Sequence, residues 1–266
     1  GSIPVKSKLI LRKTFVVSKS AVIKKYGTVK EDFFKYTKKQ FCKYFEYWIL
    51  KQRKNLILCD IGNTSTKFFI DKNIKNYYKN DKIPKFKDDI FYISVNEKAT
   101  KKLLKKNPHA KNLASFIDFK TSYIGLGVDR AVACYFEENA VVIDAGSAIT
   151  VDIIEDKKHI GGFIFLGLNS FFKAYKNISK KLEISKSDFE KNINLDKIPL
   201  QTKDAVFFAL LKSIILPIKE ICKNKNIIFT GGDGEFLSQF FENSIYKKDL
   251  IFENMKRIID ANNSPS

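Results

Sequence analysis

Side chains that bind metals or form disulfides are scarce in this sequence. Its 266 residues include four cysteines and two histidines. No two cysteines stand in a C-x-x-C spacing, which argues against a structural zinc site and against a disulfide framework; they are Cys42, Cys59, Cys134 and Cys222. Two histidines, His109 and His159, are too few to favour a histidine-based metal site or a catalytic triad. Reduced thiols in a cytoplasmic protein are the simplest expectation.

Long apolar runs are also missing. No stretch approaches the roughly 18 apolar residues that a membrane-spanning helix needs. Near the start of the chain, lysines interrupt the apolar runs, so none is long enough for the apolar region of a secretory signal. We therefore expect no association with a membrane. Gly1-Ser2 is typical of residues left behind by a purification tag.

Acidic residues are few compared with basic ones. The chain holds 48 Lys and Arg against 29 Asp and Glu, a formal net charge of +19, which at first indicates nucleic-acid binding. The charge is uneven, because residues 1–54 alone carry 15 basic and 3 acidic residues. Most of the basic residues are lysines among Asn, Ile and Phe, a pattern that biased genomic composition also produces. We therefore do not expect nucleic acid as a partner.

The chain divides into three predicted parts. Residues 1–55 form a basic N-terminal extension, in which residues 3–23 alternate apolar and basic side chains and predict one or two strands. Residues 31–51 predict an amphipathic helix with an aromatic face. Residues 56–140 and 141–266 are predicted to form two lobes, because a strand-and-turn motif occurs once in each.

The first copy of this motif lies in residues 56–67. A short apolar strand ends in Asp60, and Gly62 with a cluster of hydroxyl and amide side chains follows before the next strand. Glycine lets a bulky anion approach the backbone, and Asp60 fits there as a ligand of a bridging cation. The alternative is an ordinary turn between two strands. The predicted phosphate-binding residues are Asp60, Gly62, Asn63, Thr64, Ser65, Thr66 and Lys67.

The second copy lies in residues 141–152, where an apolar strand leads to Asp144, Gly146 and Ser147. Two copies 84 residues apart predict two related lobes that face one nucleotide. A third strand runs into Gly231 and Gly232, where we expect the adenosine or sugar of the nucleotide to lie against bare backbone.

Apolar patterns between these motifs predict an α/β protein in which helices cover mixed sheets. The predicted strands are residues 74–79, 90–95 and 113–119, with hairpins at 141–154 and 158–165 and a strand from 227. The predicted helices are residues 97–106, one from 168, one at 202–222 and one at 250–259. Pro217 is expected to kink or end the helix at 202–222.

Residues 127–130, Gly-Val-Asp-Arg, open another predicted helix. An aspartate at a helix start is most often an N-cap. The neighbouring guanidinium suggests a second interpretation, since Asp129 can accept the proton of an attacking hydroxyl in phosphoryl transfer. Arg130 can hold a carboxylate of the acceptor by a bidentate contact.

Taken together, these motifs resemble those of the type III pantothenate kinases, members of the actin/hexokinase-like ATPase superfamily. The resemblance covers roughly residues 56–259. It implies two RNase-H-like lobes with mixed sheets, a nucleotide cleft between them, and ATP-dependent phosphorylation of pantothenate to 4'-phosphopantothenate, the first step of coenzyme A biosynthesis. The matching elements are Asp60-x-Gly62-Asn63-Thr64, Gly127-x-Asp129-Arg130, Asp144-x-Gly146-Ser147, Gly161-Gly162 with Gly167-Leu168, and Thr230-Gly231-Gly232.

The resemblance also implies roles for particular residues. Asp129 matches the general base, Asp144 matches the ligand of a monovalent cation (potassium or ammonium), and Mg²⁺ would bridge the phosphates near Asp60. The residues that match nucleotide contacts outside the Asp60 turn are Ser147, Gly231 and Gly232. The residues that match pantothenate contacts are Tyr123, Gly127, Val128, Asp129, Arg130 and Thr202. The family forms homodimers in which the second subunit helps to build the acceptor pocket.

One departure from the family pattern and the basic residues 1–54 keep alternatives open. The family usually has Asn-Pro ahead of the Gly-x-Asp-Arg motif, whereas residues 121–125 read Thr-Ser-Tyr-Ile-Gly. A kinase of another small hydroxylated substrate therefore remains an alternative. A catalytically silent relative that acts as a DNA-binding regulator is a second alternative, which the basic residues 1–54 favour slightly. Thr202 also has a plainer interpretation, as the N-cap of its helix.

Overall fold

The structure, a computed structural model, describes residues 56–185, 188, 194–222 and 225–263. The strands and the aromatic helix predicted within residues 3–51, together with Cys42, lie outside the described residues. Within the described part, no helix is both long and apolar enough to cross a membrane.

The first sheet has five strands in the order β3-β2-β1-β4-β5. The central strand β1 is buried along its whole length, as expected of an apolar run covered on both faces. Strands β1 to β3 form antiparallel hairpins, whereas β4 and β5 add in parallel. The strands are β1 (Ile57–Ile61), β2 (Ser65–Ile70), β3 (Asn73–Tyr78), β4 (Ile90–Ser94) and β5 (Lys111–Asn112).

The second sheet repeats this arrangement, with the order β8-β7-β6-β9-β10. Its first three strands are antiparallel and its last two add in parallel. The two copies of the strand–Asp–x–Gly motif thus occupy equivalent places, the ends of the central strands β1 and β6. The strands are β6 (Ala140–Ala145), β7 (Ala148–Glu155), β8 (Lys158–Leu166), β9 (Asn226–Thr230) and β10 (Ser244–Tyr246).

Helices cover both sheets, and the predicted α/β class with mixed sheets is confirmed. Local sequence explains how they begin: for example, the Asn96 side chain accepts a hydrogen bond from the Ala99 amide and caps the first helix. The described α-helices are α1 (Glu97–Lys106), α2 (Val128–Cys134), α3 (Leu168–Ile178), α4 (Thr202–Ile221), α5 (Gly234–Ser238) and α6 (Leu250–Asn263).

One buried apolar cluster joins the two sheets through α2 and α6. It contains Leu58 of the first sheet, Val142 of the second and Met255 of α6. The buried Asn254 of α6 donates from Nδ2 to the carbonyls of Val132 (2.9 Å) and Ala133 (3.2 Å) near the end of α2. The C-terminal helix therefore anchors the short helix that carries the Gly-Val-Asp-Arg motif.

One local prediction is wrong, and one of the two effects expected of Pro217 does not occur. Residues 113–119 do not form a strand, because the Asn112 side chain accepts a hydrogen bond from the Ala114 amide and starts a 3₁₀ turn at Leu113–Phe116. Pro217 does not end α4, which continues to Ile221. The proline faces solvent, while Ile214 and Ile218 on either side of it are buried in the core of the second sheet.

Candidate active site

The turn between β1 and β2 places Asp60 and Lys67 on the same face of the first sheet. These two residues are directly paired across the hairpin, and directly opposed residues share a face. The Gly62 amide donates to the Ser65 carbonyl (3.0 Å) and closes the turn. A Cβ at Gly62 would make only an ordinary contact, 3.5 Å from that carbonyl oxygen. The fold itself does not require glycine here, which is consistent with space kept for a ligand.

Asp60 is a buried carboxylate with only partial compensation for its charge. It is 6% exposed, and its Oδ2 lies 3.7 Å from Nζ of Lys67. Burial raises the pKa of Asp60 to about 6; Lys67 opposes this shift, and the negative charges of Asp144 and Asp129 add to it. Asp60 therefore faces two other carboxylates, one from the second sheet and one from α2.

Asp144 occupies the equivalent position at the end of β6. Its carboxylate lies against the backbone of Gly231, which has a φ of 85°. A Cβ at Gly231 would overlap Oδ1 of Asp144 and lie 2.6 Å from the Ala145 carbonyl, so only glycine fits. Burial raises the pKa of Asp144, Lys67 opposes the shift, and Asp129 and Asp152 add to it. Asp144 is therefore a second carboxylate whose negative charge is only partly offset by Lys67.

Asp129 lies in the first turn of α2, whose N-cap is Gly127. The N-cap interpretation of Asp129 is therefore wrong. Its Oδ1 accepts a hydrogen bond from the Arg130 amide (2.8 Å), which leaves Oδ2 as the other acceptor of this half-buried carboxylate. The first turn of α2 thus presents a carboxylate to the same space that Asp60 and Asp144 face.

Arg130 points from the same turn toward the second sheet. Its Nε and Nη2 atoms donate to Asp152, at distances from 2.7 to 3.1 Å. The guanidinium lies 4.8 Å from the ring centre of Tyr123, a cation–π arrangement. The structure thus brings together two residues that the sequence predicted for the acceptor site.

The structure gives the local positions of the other predicted residues. Thr66 is buried and pairs with Ile61, so it lies on the opposite face of the sheet from Asp60. Thr202 is the exposed first residue of α4, where Gln201 holds the N-cap position, so the N-cap interpretation of Thr202 is wrong. The remaining nucleotide residues of the two Asp turns and of the β9 turn are exposed or half-buried: Asn63, Thr64, Ser65, Ser147 and Gly232.

Sequence reasoning missed the partners of Arg130. They are Asp152 and, through it, His159 and Thr121. The available signal was the carboxylate of Asp152 between the apolar residues Val151 and Ile153 of β7, because a buried carboxylate needs a partner. Among the described residues, no three His, Cys, Asp or Glu side chains could hold a metal ion by themselves.

Comparison with known proteins defines the family. The type III pantothenate kinase family model matches residues 72–224. Type III pantothenate kinases from Campylobacter jejuni and Helicobacter hepaticus are 46% and 43% identical, over 78% and 77% of this chain and 98% of each relative. A solved Campylobacter jejuni structure, described as a Baf family transcriptional activator, is 41% identical with a TM-score of 0.67, covering 77% of this chain and 98% of that one.

Two similar mixed sheets, with a carboxylate turn at the end of each central strand, define an α/β protein built from two related halves. The sequence matches then specify which one: the chain belongs to the type III pantothenate kinase family. The predicted reaction, phosphorylation of pantothenate at the expense of ATP, is confirmed at the level of the family.

Proposed function

We propose that the cleft between the Asp60 turn, the Asp144 turn and the start of α2 is where ATP phosphorylates the terminal hydroxyl of pantothenate. One observation carries this assignment: Asp60, Asp129 and Asp144 come from two sheets and a helix, yet their negative charges act on one another, and Lys67, 3.7 Å from Asp60, offsets the charges of Asp60 and Asp144. Such a concentration of acidic groups suits a site that handles phosphates with cations.

The Asp60 turn is proposed to hold the ATP phosphates. Its glycine leaves room for close approach, and the exposed or half-buried side chains of Asn63, Thr64 and Ser65 supply donors. Asp60 fits as a Mg²⁺ ligand, because its buried charge is only partly balanced by Lys67. When bound, Mg²⁺ would neutralise charge on the phosphates. Ser147 would contact phosphate from the second turn, and Gly231 and Gly232 would lie near the adenosine.

Asp144 is proposed to bind the monovalent cation, potassium or ammonium. Its carboxylate is held against the Gly231 backbone, with Asp129 and Asp152 as further negative charges nearby. A monovalent cation would reduce the repulsion between these groups. Asp144 thus fits a cation ligand better than a plain turn residue.

Asp129 is proposed as the general base that accepts the proton of the pantothenate hydroxyl. Its position in the first turn of α2 keeps Oδ1 occupied by the Arg130 amide and leaves Oδ2 for the substrate. Arg130 would meet the pantothenate carboxylate, but the Nε–Nη2 side of its guanidinium is already bound to Asp152. The carboxylate would therefore approach the Nη1 end of the guanidinium, beside the Tyr123 ring. Gly127, Val128 and Thr202 complete the proposed acceptor contacts.

The proposal includes a homodimer and two further predictions from the sequence. Strand β8 lies at an edge of the second sheet and leaves Ile164 and Leu166 about half exposed, at 54% and 53%. Apolar side chains on a sheet edge to which no further described strand is added are typical of an association surface. A monomer in sedimentation equilibrium at micromolar concentration would contradict the dimer.

The lobe boundaries at residues 56 and 141 and a cytoplasmic location also belong to the proposal. The free thiols of the described cysteines support the cytoplasmic location.

Turnover with pantothenate is expected in potassium buffer and at a much lower rate in sodium buffer. The reason is that a cation is needed beside Asp144, and the smaller, more strongly hydrated Na⁺ is a poor substitute. The measurement is ADP release coupled to pantothenate addition, with other small hydroxylated acids as control acceptors. Clear ATP binding without pantothenate turnover would contradict the substrate assignment, and equal rates in both buffers would contradict the assignment of Asp144.

A further inference from the structure

Asp152 holds Arg130 in a single orientation. The carboxylate receives hydrogen bonds from Nε at 3.0 and 3.1 Å and from Nη2 at 2.7 Å. Both side chains are almost fully buried, at 8% and 2% exposure. Beneath them, a Cβ at Gly162 would overlap the Val151 carbonyl and lie 3.0 Å from Nη2 of Arg130. The glycine thus leaves the space that the guanidinium occupies.

His159 connects this ion pair to the loop that precedes α2. Its Nε2 lies 2.8 Å from Oδ1 of Asp152, and its Nδ1 lies 2.7 Å from Oγ1 of Thr121. The ring is fully buried. In the neutral tautomer with a proton on Nε2, the ring donates to Asp152 and accepts from the Thr121 hydroxyl, so both nitrogens are satisfied.

Thr121 completes a closed ring of contacts. Its Oγ1 accepts a hydrogen bond from the Tyr123 amide (2.9 Å), and the Tyr123 ring lies against the Arg130 guanidinium. The path therefore runs from Arg130 through Asp152, His159 and Thr121 to Tyr123 and back to Arg130. The backbone adds a further link, because the His159 amide donates to the Lys120 carbonyl (3.1 Å). The side-chain polar groups of Asp152, His159 and Thr121 all have partners, which is the condition under which a buried network fixes one geometry.

We propose that Thr121, His159 and Asp152 are positioning residues for the acceptor site. By holding the guanidinium of Arg130 against the Tyr123 ring, they set the affinity for the acceptor carboxylate without touching the acceptor themselves. This inference rests on the proposed contact between Arg130 and pantothenate. A positioning role predicts a selective change in the KM for pantothenate. A purely structural network would instead change stability and the KM values for both substrates.

Thr121 offers the sharpest test, because it is exposed and a change there leaves the core intact. Thr121→Val keeps the shape and removes the hydroxyl, while Thr121→Ser keeps the hydroxyl and serves as the matched control. In Thr121→Val, the KM for pantothenate is expected to rise about three- to tenfold, the range for loss of one side-chain hydrogen bond. We expect kcat and the KM for ATP to stay close to wild type and Thr121→Ser to resemble wild type throughout. The thermal midpoint of Thr121→Val is expected to fall by a few degrees, because Nδ1 of the buried His159 loses its donor. His159→Phe, measured in parallel, is expected to raise the KM for pantothenate further.

The possible outcomes distinguish failure of the positioning role from failure of the proposed kinase function. A selective rise in the KM for pantothenate in Thr121→Val, restored in Thr121→Ser, supports the positioning role. An unchanged KM for pantothenate in Thr121→Val, or equal changes in the KM values for pantothenate and ATP, overturns the inference while leaving the kinase assignment in place. A wild-type protein that binds ATP but does not phosphorylate pantothenate overturns the proposed function and, with it, this inference.

Discussion

Replacing Asp129 with asparagine is expected to lower kcat for pantothenate phosphorylation by about 10²- to 10⁴-fold, the usual contribution of a positioned general base. The amide keeps the size of the side chain, and its oxygen can still accept the hydrogen bond from the Arg130 amide. It cannot take up the proton of the attacking hydroxyl. Steady-state kinetics at saturating ATP would measure the loss, and calorimetric titration with ADP should show nucleotide affinity close to wild type.

Asp71→Asn is the matched control for this experiment. Asp71 is exposed at the β2–β3 turn with a φ of 49°, a conformation that asparagine tolerates well. The same change from carboxylate to amide should therefore leave kcat and stability unaltered. If Asp129→Asn kept more than about a tenth of wild-type kcat, Asp129 would not be the general base of the reaction.

Features that depend on neighbouring residues could be predicted from the sequence. The strand–Asp–x–Gly order identified both central strands and their turns, because an apolar run followed by a carboxylate and a glycine has few other structural solutions. Helix α1 was also predictable, since the Asn96 cap and the residues before Pro108 mark its two ends. The repeat of the motif then predicted two similar sheets, and both have the same strand order.

Errors arose where tertiary packing outweighed a local signal. Pro217 lacks an amide hydrogen, yet α4 continues past it because Ile214, Ile215 and Ile218 are buried on the same side of the helix. Helical stability in proteins comes mostly from such packing rather than from propensity. The apolar residues 113–119 resemble a strand in the same way, but the side chain of Asn112 redirects the chain into a 3₁₀ turn.

The partners of Arg130 could not be predicted because they are distant in sequence. Asp152 is 22 residues away, and His159 lies 38 residues from Thr121. The packing of α2 against β7, the pairing of β7 with β8 and the bridge between Thr121 and His159 bring them together. The motif indicated that Arg130 was a candidate for substrate binding, but its orientation depends on the whole second sheet.

Replacing Asp60 with asparagine is expected to lower activity and, unusually, to raise stability. Loss of the carboxylate removes a proposed cation ligand at the phosphates, and a reduction in kcat of about 10²- to 10³-fold is typical for loss of one electrostatic contact to a transition state. The ligand-free protein should gain free energy of unfolding, because ionised Asp60 is buried and faces Asp129 and Asp144. A pKa raised from 3.8 to about 6 corresponds to a gain of up to roughly 3 kcal/mol near pH 7.5.

The pH dependence makes this prediction specific. Since the pKa of Asp60 is higher in the folded state, the folded protein binds more protons than the unfolded chain between pH 3.8 and about 6. The contribution of Asp60 to stability is therefore fully present at low pH and is lost as the pH rises through 6.

Urea unfolding measures this difference. Wild type and Asp60→Asn should have similar free energies of unfolding near pH 4, and the variant should become increasingly more stable than wild type up to pH 7.5. The Asp71→Asn variant, whose carboxylate is exposed, should show no such divergence. A variant that is less stable than wild type at pH 7.5 without nucleotide would contradict the prediction. The expected result, a more stable but inactive protein, would mean that the fold tolerates an unfavourable buried charge at Asp60 because the reaction needs it there.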